Sequence, residues 1–280
     1  MAQINRVTII GLGLMGGSLG LALKKKRVAK EVIGVSRHAP TVRDALRRKA
    51  IDSGAVDPIA GVRAADIIVL ATPVDAIVSM AKRSAAVLRP GTVITDVGSS
   101  KAEIVRRLER ELPRHVAFVG GHPLAGSDRR GLSAADGKLY NGSICVLTRT
   151  ARTSEKALKA VTRMWQPLVG KVEVMSPSRH DTLVASASHL PHLLAYTLAG
   201  ATPEEAANLR LKSFKDVTRI ARSEPELWDD IFLSNRKAVL EAMNRFERQW
   251  KSLRGLIRSS NASGLKQQLT RAKERRTQLD

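Results

Sequence analysis

A β-branched run at residues 7–10 breaks at Gly11 and restarts as an apolar segment carrying Gly13, Gly16, Gly17 and Gly20. No other feature restricts the fold as much. A short apolar run bounded by a Gly-Leu-Gly-Leu-Met-Gly turn reads as a buried strand feeding a helix. So many residues without side chains suit a helix packed closely on a sheet. A secretory leader is excluded as a reading, because the basic cluster Lys24, Lys25, Lys26 and Arg27 follows the apolar run instead of preceding it. The segment also lacks the length and the composition of a membrane span.

The alternation begun there continues to about residue 175. β-Branched runs at 7–10, 31–35, 67–71, 93–96, 117–120, 143–147 and 171–174 alternate with helix-length amphipathic segments. Strands joined by crossover helices give an α/β domain, a mostly parallel, doubly wound sheet with helices on both faces. At Ser176-Pro177 an N-cap followed by proline opens a different region. Helical periodicity over 179–199, 203–221, 225–260 and 262–278 predicts an all-α second domain, broken at Gly200, Pro203, Pro225 and residues 259–263. The chain of 280 residues suits two such domains, 1–175 and 176–280, with no linker between them and therefore tight packing. The polar, basic last twenty or so residues are where fraying is expected. Aromatic residues are 3% of the chain, so the cores are aliphatic. The single cysteine, Cys145, rules out an intramolecular disulfide, argues against a cysteine metal site and fits a reducing cytoplasm.

Gly11, Gly13 and Gly16 stand directly after a strand and open a helix, the context that gives such glycines meaning. Gly11 allows the turn, Gly13 lets backbone approach a pyrophosphate, and Gly16 lets helix and strand pack. Leu14 and Met15 complete the turn, and the helix N-terminus presents its unpaired N–H groups to the phosphates. A carboxylate that ends the second strand would accept from the ribose 2′-hydroxyl of NAD, and none is present. Ser36, Arg37 and Thr41 stand there instead, an arrangement suited to a 2′-phosphate, so the expected cofactor is NADP, with NAD as the alternative. The plainer reading of Arg37 is a surface residue over the adenine. Thr72 and Pro73 close the third predicted strand and line the same channel.

Two further segments fall at strand ends on the ligand side, Thr95-Asp-Val-Gly-Ser-Ser-Lys101 and Gly120-Gly-His-Pro-Leu-Ala-Gly-Ser127. His122, preceded by two glycines and followed by proline, is not placed like a core histidine. Its imidazole is the side chain best matched to take a proton near neutral pH, as hydride transfer from an alcohol requires. These segments closely resemble the prephenate/arogenate dehydrogenase family of tyrosine biosynthesis, which includes the cyclohexadienyl dehydrogenases. The likeness continues through His180-Asp181, Ser188-His-Leu-Pro-His192, Ser213-Phe-Lys-Asp-Val-Thr-Arg-Ile-Ala221, Trp228-Asp-Asp-Ile231 and Asn235, and spans roughly residues 6–250. The resemblance implies oxidative decarboxylation of a cyclohexadienol with hydride transfer to NAD(P)+. It makes His122 the catalytic base and Ser99 its hydrogen-bonding companion, places His192, with His189 beside it, in the substrate pocket, and gives Arg219 the ring carboxylate. It also implies a homodimer formed through the helical domain.

Plainer alternatives stand beside these roles. His189 and His192 also fit core or interface histidines, and no further cysteine or acidic cluster supports a metal site. Arg219 also fits an ion pair with Asp216 or Asp229. The two substrates differ at the side chain, where Asp128 suits the ammonium of arogenate and Arg129 or Arg130 its carboxylate, so arogenate is modestly favoured and prephenate stays open. The net charge of +21 raises a nucleic-acid reading, but the basic residues spread over predicted helices without interleaved aromatics and read as solvated faces. The competing functions are another dehydrogenase of this fold acting on a β-hydroxy acid or an imine, and a non-catalytic nucleotide- or nucleic-acid-binding protein.

Overall fold

A computed structural model of the chain describes residues 3–127 and 129–278. Strands β1 (Ile4–Ile10), β2 (Ala29–Val35), β3 (Ser53–Ala55), β4 (Ile67–Leu70), β5 (Val93–Asp96) and β6 (Ala117–Val119) pair in the order β3-β2-β1-β4-β5-β6, all parallel. Their crossovers carry α1 (Leu14–Lys25), α2 (Ala39–Arg47), α3 (Pro58–Val62), α4 (Val74–Ala85) and α5 (Ala102–Glu111). Side chains alternate across a strand, so Val7 and Ile9 of β1 join the core beneath α1 with Leu19 and Leu23. Ile10 joins the opposite core with Ile77 and Leu108 of α4 and α5. The strand order reverses between β1 and β4, and a ligand crevice opens beyond their carboxyl ends at such a point.

Two strands were not legible as apolar runs. The first is β3, whose three residues Ser-Gly-Ala pair in register with Ile33, Gly34 and Val35. The second is β7 (Gly121–Pro123), and it corrects the expectation of one continuous sheet. The runs expected at 143–147 and 171–174 form β8 (Ile144–Thr148) and β9 (Lys171–Met175), with α6 (Glu155–Trp165) between them, but they do not extend the parallel sheet. They join β7 in a separate sheet, β7-β8-β9, with β7 antiparallel to β8. The cause lies at Gly120 and Gly121. A Cβ at Gly120 would come within 2.5 Å of Thr148 Oγ1 and one at Gly121 within 2.7 Å of the Asp96 carbonyl, so only glycine lets the chain leave β6 and cross this closely.

The helical half follows at once. Helix α7 (Pro177–Val184) is capped by Ser176, whose Oγ accepts from Arg179 N at 3.3 Å. It continues through a π-helical turn, Ala185–His189, into α8 (Leu190–Ala201). Then come α9 (Glu204–Asn208), α10 (Lys212–Thr218), a 3₁₀ turn (Arg219–Arg222), α11 (Pro225–Ser234), α12 (Arg236–Arg258) and α13 (Ala262–Thr277). The helix expected over 203–221 is interrupted where Arg210 takes φ +52°, and the one over 225–260 divides at Asn235. The expected fraying at the end gives way to α13, whose N-cap Asn261 accepts from Gly264 N at 2.9 Å and whose Gln268 donates to Gln249 of α12 at 3.1 Å. The helical core consists of Ala185, Ala238, Val239 and Ala242, flanked by Leu190, Leu193 and Met243. Among the described residues no helix is long and apolar enough to cross a membrane.

Candidate active site

The crevice is shaped by backbone. Gly11 sits at φ +100°, and a Cβ there would lie 2.3 Å from the Ala71 carbonyl, so β1 and β4 can end side by side only with glycine at this position. A Cβ at Gly16 would lie 1.8 Å from the Gly11 carbonyl. Gly13 differs, since a Cβ there would meet nothing within 4 Å. It is the N-cap of α1, makes no side-chain cap, and has no acidic residue in the turn after it. Leu14 and Met15 form that turn, and Tyr140 Oη pins it by donating to the Met15 carbonyl at 2.7 Å. Across the crevice the Thr72 hydroxyl is buried with no hydrogen-bond partner among the described residues, beside the exposed Pro73. An open face at Gly13, uncapped helix N–H groups and an orphan hydroxyl fit a dinucleotide with its phosphates on α1.

Ser36 and Arg37 follow β2. Ser36 Oγ accepts from His38 N at 3.3 Å, and Arg37 Nε donates to His38 Nε2 at 3.1 Å. Thr41 is half-buried in the first turn of α2. Among the described residues no carboxylate pairs with Arg37, which is exposed.

His122 lies on β7 at the far edge of the same crevice. Its Nδ1 is 2.8 Å from His180 Nε2, and His180 Nδ1 is 2.8 Å from Asp181 Oδ1. The Asp181 carboxylate also accepts the N–H groups of Lys101 and Ala102, both at 2.8 Å, and so caps α5 from the helical half. Behind His122, Asp96 Oδ1 accepts from Gly121 N at 3.0 Å while its Oδ2 accepts from Gly98 N and pairs with Lys101 Nζ. The Asp96–Lys101 pair is fully buried. Burial, with the nearby His180, Lys101 and His189, holds the His122 imidazolium well below the ordinary histidine range, so the ring is a neutral base at neutral pH.

The opposite wall is aromatic. Trp228 of α11 stacks on His192 with ring centroids 3.5 Å apart and meets His189 edge-on at 6.1 Å. His192 Nδ1 donates to the Ser188 carbonyl at 3.0 Å, and Asn235 Nδ2 lies 3.2 Å from His189 Nδ1. Burial pushes His189 down to about 4. His192 is lowered first by burial and then by the Arg219 guanidinium, which places Arg219 within electrostatic reach of that ring. The π-turn shifts the helix register between His180 and His192, and such turns mark functional sites in many helices. Two residues beyond Trp228, Asp230 Oδ2 accepts from Val74 N at 3.0 Å and Asp75 N at 3.4 Å, closing α11 onto the start of α4 beside Thr72 and Pro73.

The structure therefore puts His189 within electrostatic reach of His122, and Arg219 within electrostatic reach of the His192 that stacks on Trp228. It does not join Ser99 to His122: Ser99 is half-buried in the loop before α5, and His180 holds the histidine nitrogen. Arg219 is exposed and pairs with neither Asp216 nor Asp229 among the described residues. Arg130 lies 3.3 Å from Glu224, Arg129 is exposed, and Asp128 lies outside the described residues. Sequence reasoning gave no role to His180, Asp181, Trp228, Asp230 or Asn235, although all five stood in motifs it singled out. The cap at Ser176-Pro177 was the available signal, because it puts His180 and Asp181 in the opening turns of a helix that packs on the sheet half.

A dinucleotide crevice at the switch point of a parallel sheet, roofed by helices that bring histidines and an arginine to it, is the architecture of a two-domain dehydrogenase. The chain belongs to the prephenate dehydrogenase family: residues 19–174 match that family's nucleotide-binding domain and residues 176–271 its dimerization domain. A cyclohexadienyl dehydrogenase of Zymomonas mobilis is 33% identical over 287 residues, covering 100% of this chain and 97% of that protein. Among solved structures, prephenate dehydrogenase from Aquifex aeolicus, in complex with hydroxyphenyl propionate and NAD+, matches at 34% identity and TM-score 0.92, covering 100% of this chain and 99% of the other. Synechocystis arogenate dehydrogenase matches at 29% identity and TM-score 0.85, covering 98% and 100%.

Proposed function

We propose that the protein oxidatively decarboxylates a cyclohexadienol to a phenol, arogenate in preference to prephenate, with NADP+ favoured over NAD+. One observation carries this reading. The His122 imidazole, engaged at Nδ1, has no hydrogen-bond partner at Nε2 among the described residues and stands at the sheet edge of a cleft whose other wall leads through Trp228 and His192 to Arg219.

The bound cofactor supplies the hydride acceptor, and the chain supplies the rest. His122 Nε2 takes the proton of the ring hydroxyl as the carbon beneath it loses hydride, and returns that proton to the phenolate oxygen as the ring carboxylate leaves as CO₂. Ser99 is assigned to share that oxygen, as the family resemblance implies. Arg219 holds a substrate carboxylate with paired N–H donors, and His189 and His192 line the ring. Asp128 and Arg129, by their place in the sequence after the catalytic loop, are assigned to the substrate side chain, the end at which arogenate and prephenate differ. Arogenate is favoured because Asp128 offers its ammonium a counter-charge, and relatives named for arogenate and for cyclohexadienyl substrates both align along nearly the whole chain. NADP is favoured because Arg37, Ser36 and Thr41, with no carboxylate ending the second strand, suit a 2′-phosphate; NAD+, held by the Aquifex neighbour, is the alternative.

The division at residues 175 and 176, a homodimer through the helical half and residence in the cytoplasm belong to the same proposal. Initial rates with prephenate and arogenate, each with NAD+ and NADP+, test it. Turnover of neither substrate would end it, and a higher rate with prephenate or NAD+ would reverse the corresponding preference.

A further inference from the structure

We infer that His180 and Asp181 act as positioning residues for His122, fixing it as the Nδ1–H tautomer and stabilising the charge it gains when Nε2 takes the substrate proton. The inference rests on the reading of His122 as the base and adds to it a chain of three groups.

The argument starts at Asp181. Its carboxylate accepts two backbone N–H groups at the start of α5, from Lys101 and Ala102, each at 2.8 Å. With one donor on each oxygen, both oxygens of the carboxylate act as acceptors. A carboxylate anion only accepts, so the contact at 2.8 Å between Asp181 Oδ1 and His180 Nδ1 places the hydrogen on His180 Nδ1. The Nε2 of a neutral His180 then carries a lone pair. It can only accept the contact at 2.8 Å from His122, so His122 bears its hydrogen on Nδ1 and its lone pair on Nε2. That is the nitrogen without a partner among the described residues. When Nε2 gains the hydroxyl proton, the O–H bond breaks, an N–H bond forms, and the imidazolium donates more strongly through Nδ1 to His180, which is backed by the Asp181 charge. No proton moves along the chain. His180 is buried at 1% exposure and Asp181 at 4%, so water does not compete for these contacts. The groups facing His122 from the other elements are Lys101 with Asp96, from the β5–α5 segment, and His189, from the π-turn. Lys101 is neutralised by Asp96, which leaves Asp181 as the anion in line with the base.

The test uses the full chain labelled with ¹⁵N-histidine, without substrate, and reads both imidazole nitrogens by long-range ¹H–¹⁵N correlation. The His122 signals are assigned by their loss in His122→Asn. A protonated Nδ1 and an unprotonated Nε2 at His122 are expected, and the reverse assignment overturns the inference. In His180→Ala, kcat should fall at least tenfold with KM within about twofold, and His180→Gln, which retains an acceptor, should recover part of the loss. An unchanged kcat, or a loss confined to KM, overturns the positioning role. If His180→Ala does not fold, judged by circular dichroism and cofactor binding, the wild-type spectrum and His180→Gln decide. Failure of the base reading is seen separately, as turnover that survives in His122→Asn whatever the tautomer.

Discussion

The two halves of the molecule bury their apolar side chains to very different degrees. The sheet half holds a core on each face, with Trp165, Tyr140, Ile9, Leu19 and Ile68 closed off from solvent. The helical half closes over four small residues and leaves Leu211, Val217, Leu233, Trp250, Ile257 and Leu269 each more than half exposed, at 55–69%. Each such side chain removed from water contributes about 1.5–3 kcal/mol, so a helical half left this bare is the surface on which the proposed dimer would form. The half that cradles the cofactor is self-sufficient, and the half that brings histidines and Arg219 to it is not. Two carboxylates of the helical half, Asp181 on α5 and Asp230 on α4, tie the dependent half to the independent one at the edges of the crevice.

The largest expected effect attacks that dependence. Trp250 and Ile257 lie seven residues apart on α12, on one face, and are 59% and 64% exposed. Replacing both with glutamate should loosen the dimer roughly 10⁴-fold, taking about 1.5 kcal/mol for each of the four side chains that two copies contribute, and sedimentation should then show monomer. An unchanged dimer would move the interface off α12. Next comes the division of labour. His122→Asn should lower kcat by about 10²–10⁴ with little change in KM. Arg219→Ala should do the opposite, raising KM roughly 10- to 100-fold, as loss of one charge-assisted contact implies, with kcat within a few-fold. A kcat loss at Arg219 with KM unmoved would place it in the chemistry and break the comparison.

A smaller effect separates the halves by acid. Burial pushes His189 down to about 4 from the ordinary histidine value of 6.5, so the unfolded chain binds its proton first as pH falls. The stability it contributes is complete above 6.5 and is lost as pH drops from there towards 4, amounting to about 2 kcal/mol at pH 5. His122 is depressed too and titrates with the same sign, so the readout is the difference between wild type and His189→Gln in melting temperature against pH. Parallel curves would remove His189 as a source of acid sensitivity.

What could be read from the sequence was what neighbouring residues dictate. The turn was legible because backbone crowding at Gly11 and Gly16 admits only glycine, and β1, β2, β4 and β5 because buried parallel strands are runs of valine and isoleucine. β7 was not, since Gly-His-Pro has no strand pattern and pairs only because β8, more than twenty residues later, supplies an edge. The partner of His122 was out of reach for the same reason. Ser99 was the nearer guess, but His180 lies 58 residues on and its orientation depends on Asp181 capping a helix some 80 residues earlier. The exposed leucines of the helical half were equally opaque, because the 3.6-residue period marks an apolar face without saying whether it meets the chain's own core or another copy.

The smallest expected effect asks whether the sheet half chooses its cofactor independently. Ser36 and Arg37 belong to the β2–α2 connection and Thr41 to the first turn of α2, and Arg37 has no ion pair with the helical half among the described residues. Arg37→Asp replaces a guanidinium that can pair with a 2′-phosphate by a carboxylate that repels it and can instead accept from a ribose hydroxyl. The ratio of kcat/KM for NADP+ to that for NAD+ should fall about tenfold, near 1.4 kcal/mol, by the same factor with prephenate as with arogenate. A shift that depends on the substrate would mean that the two halves communicate through Asp181 and Asp230, and cofactor choice would then be a property of the closed cleft. An unchanged ratio would return Arg37 to the role of a surface residue over the adenine.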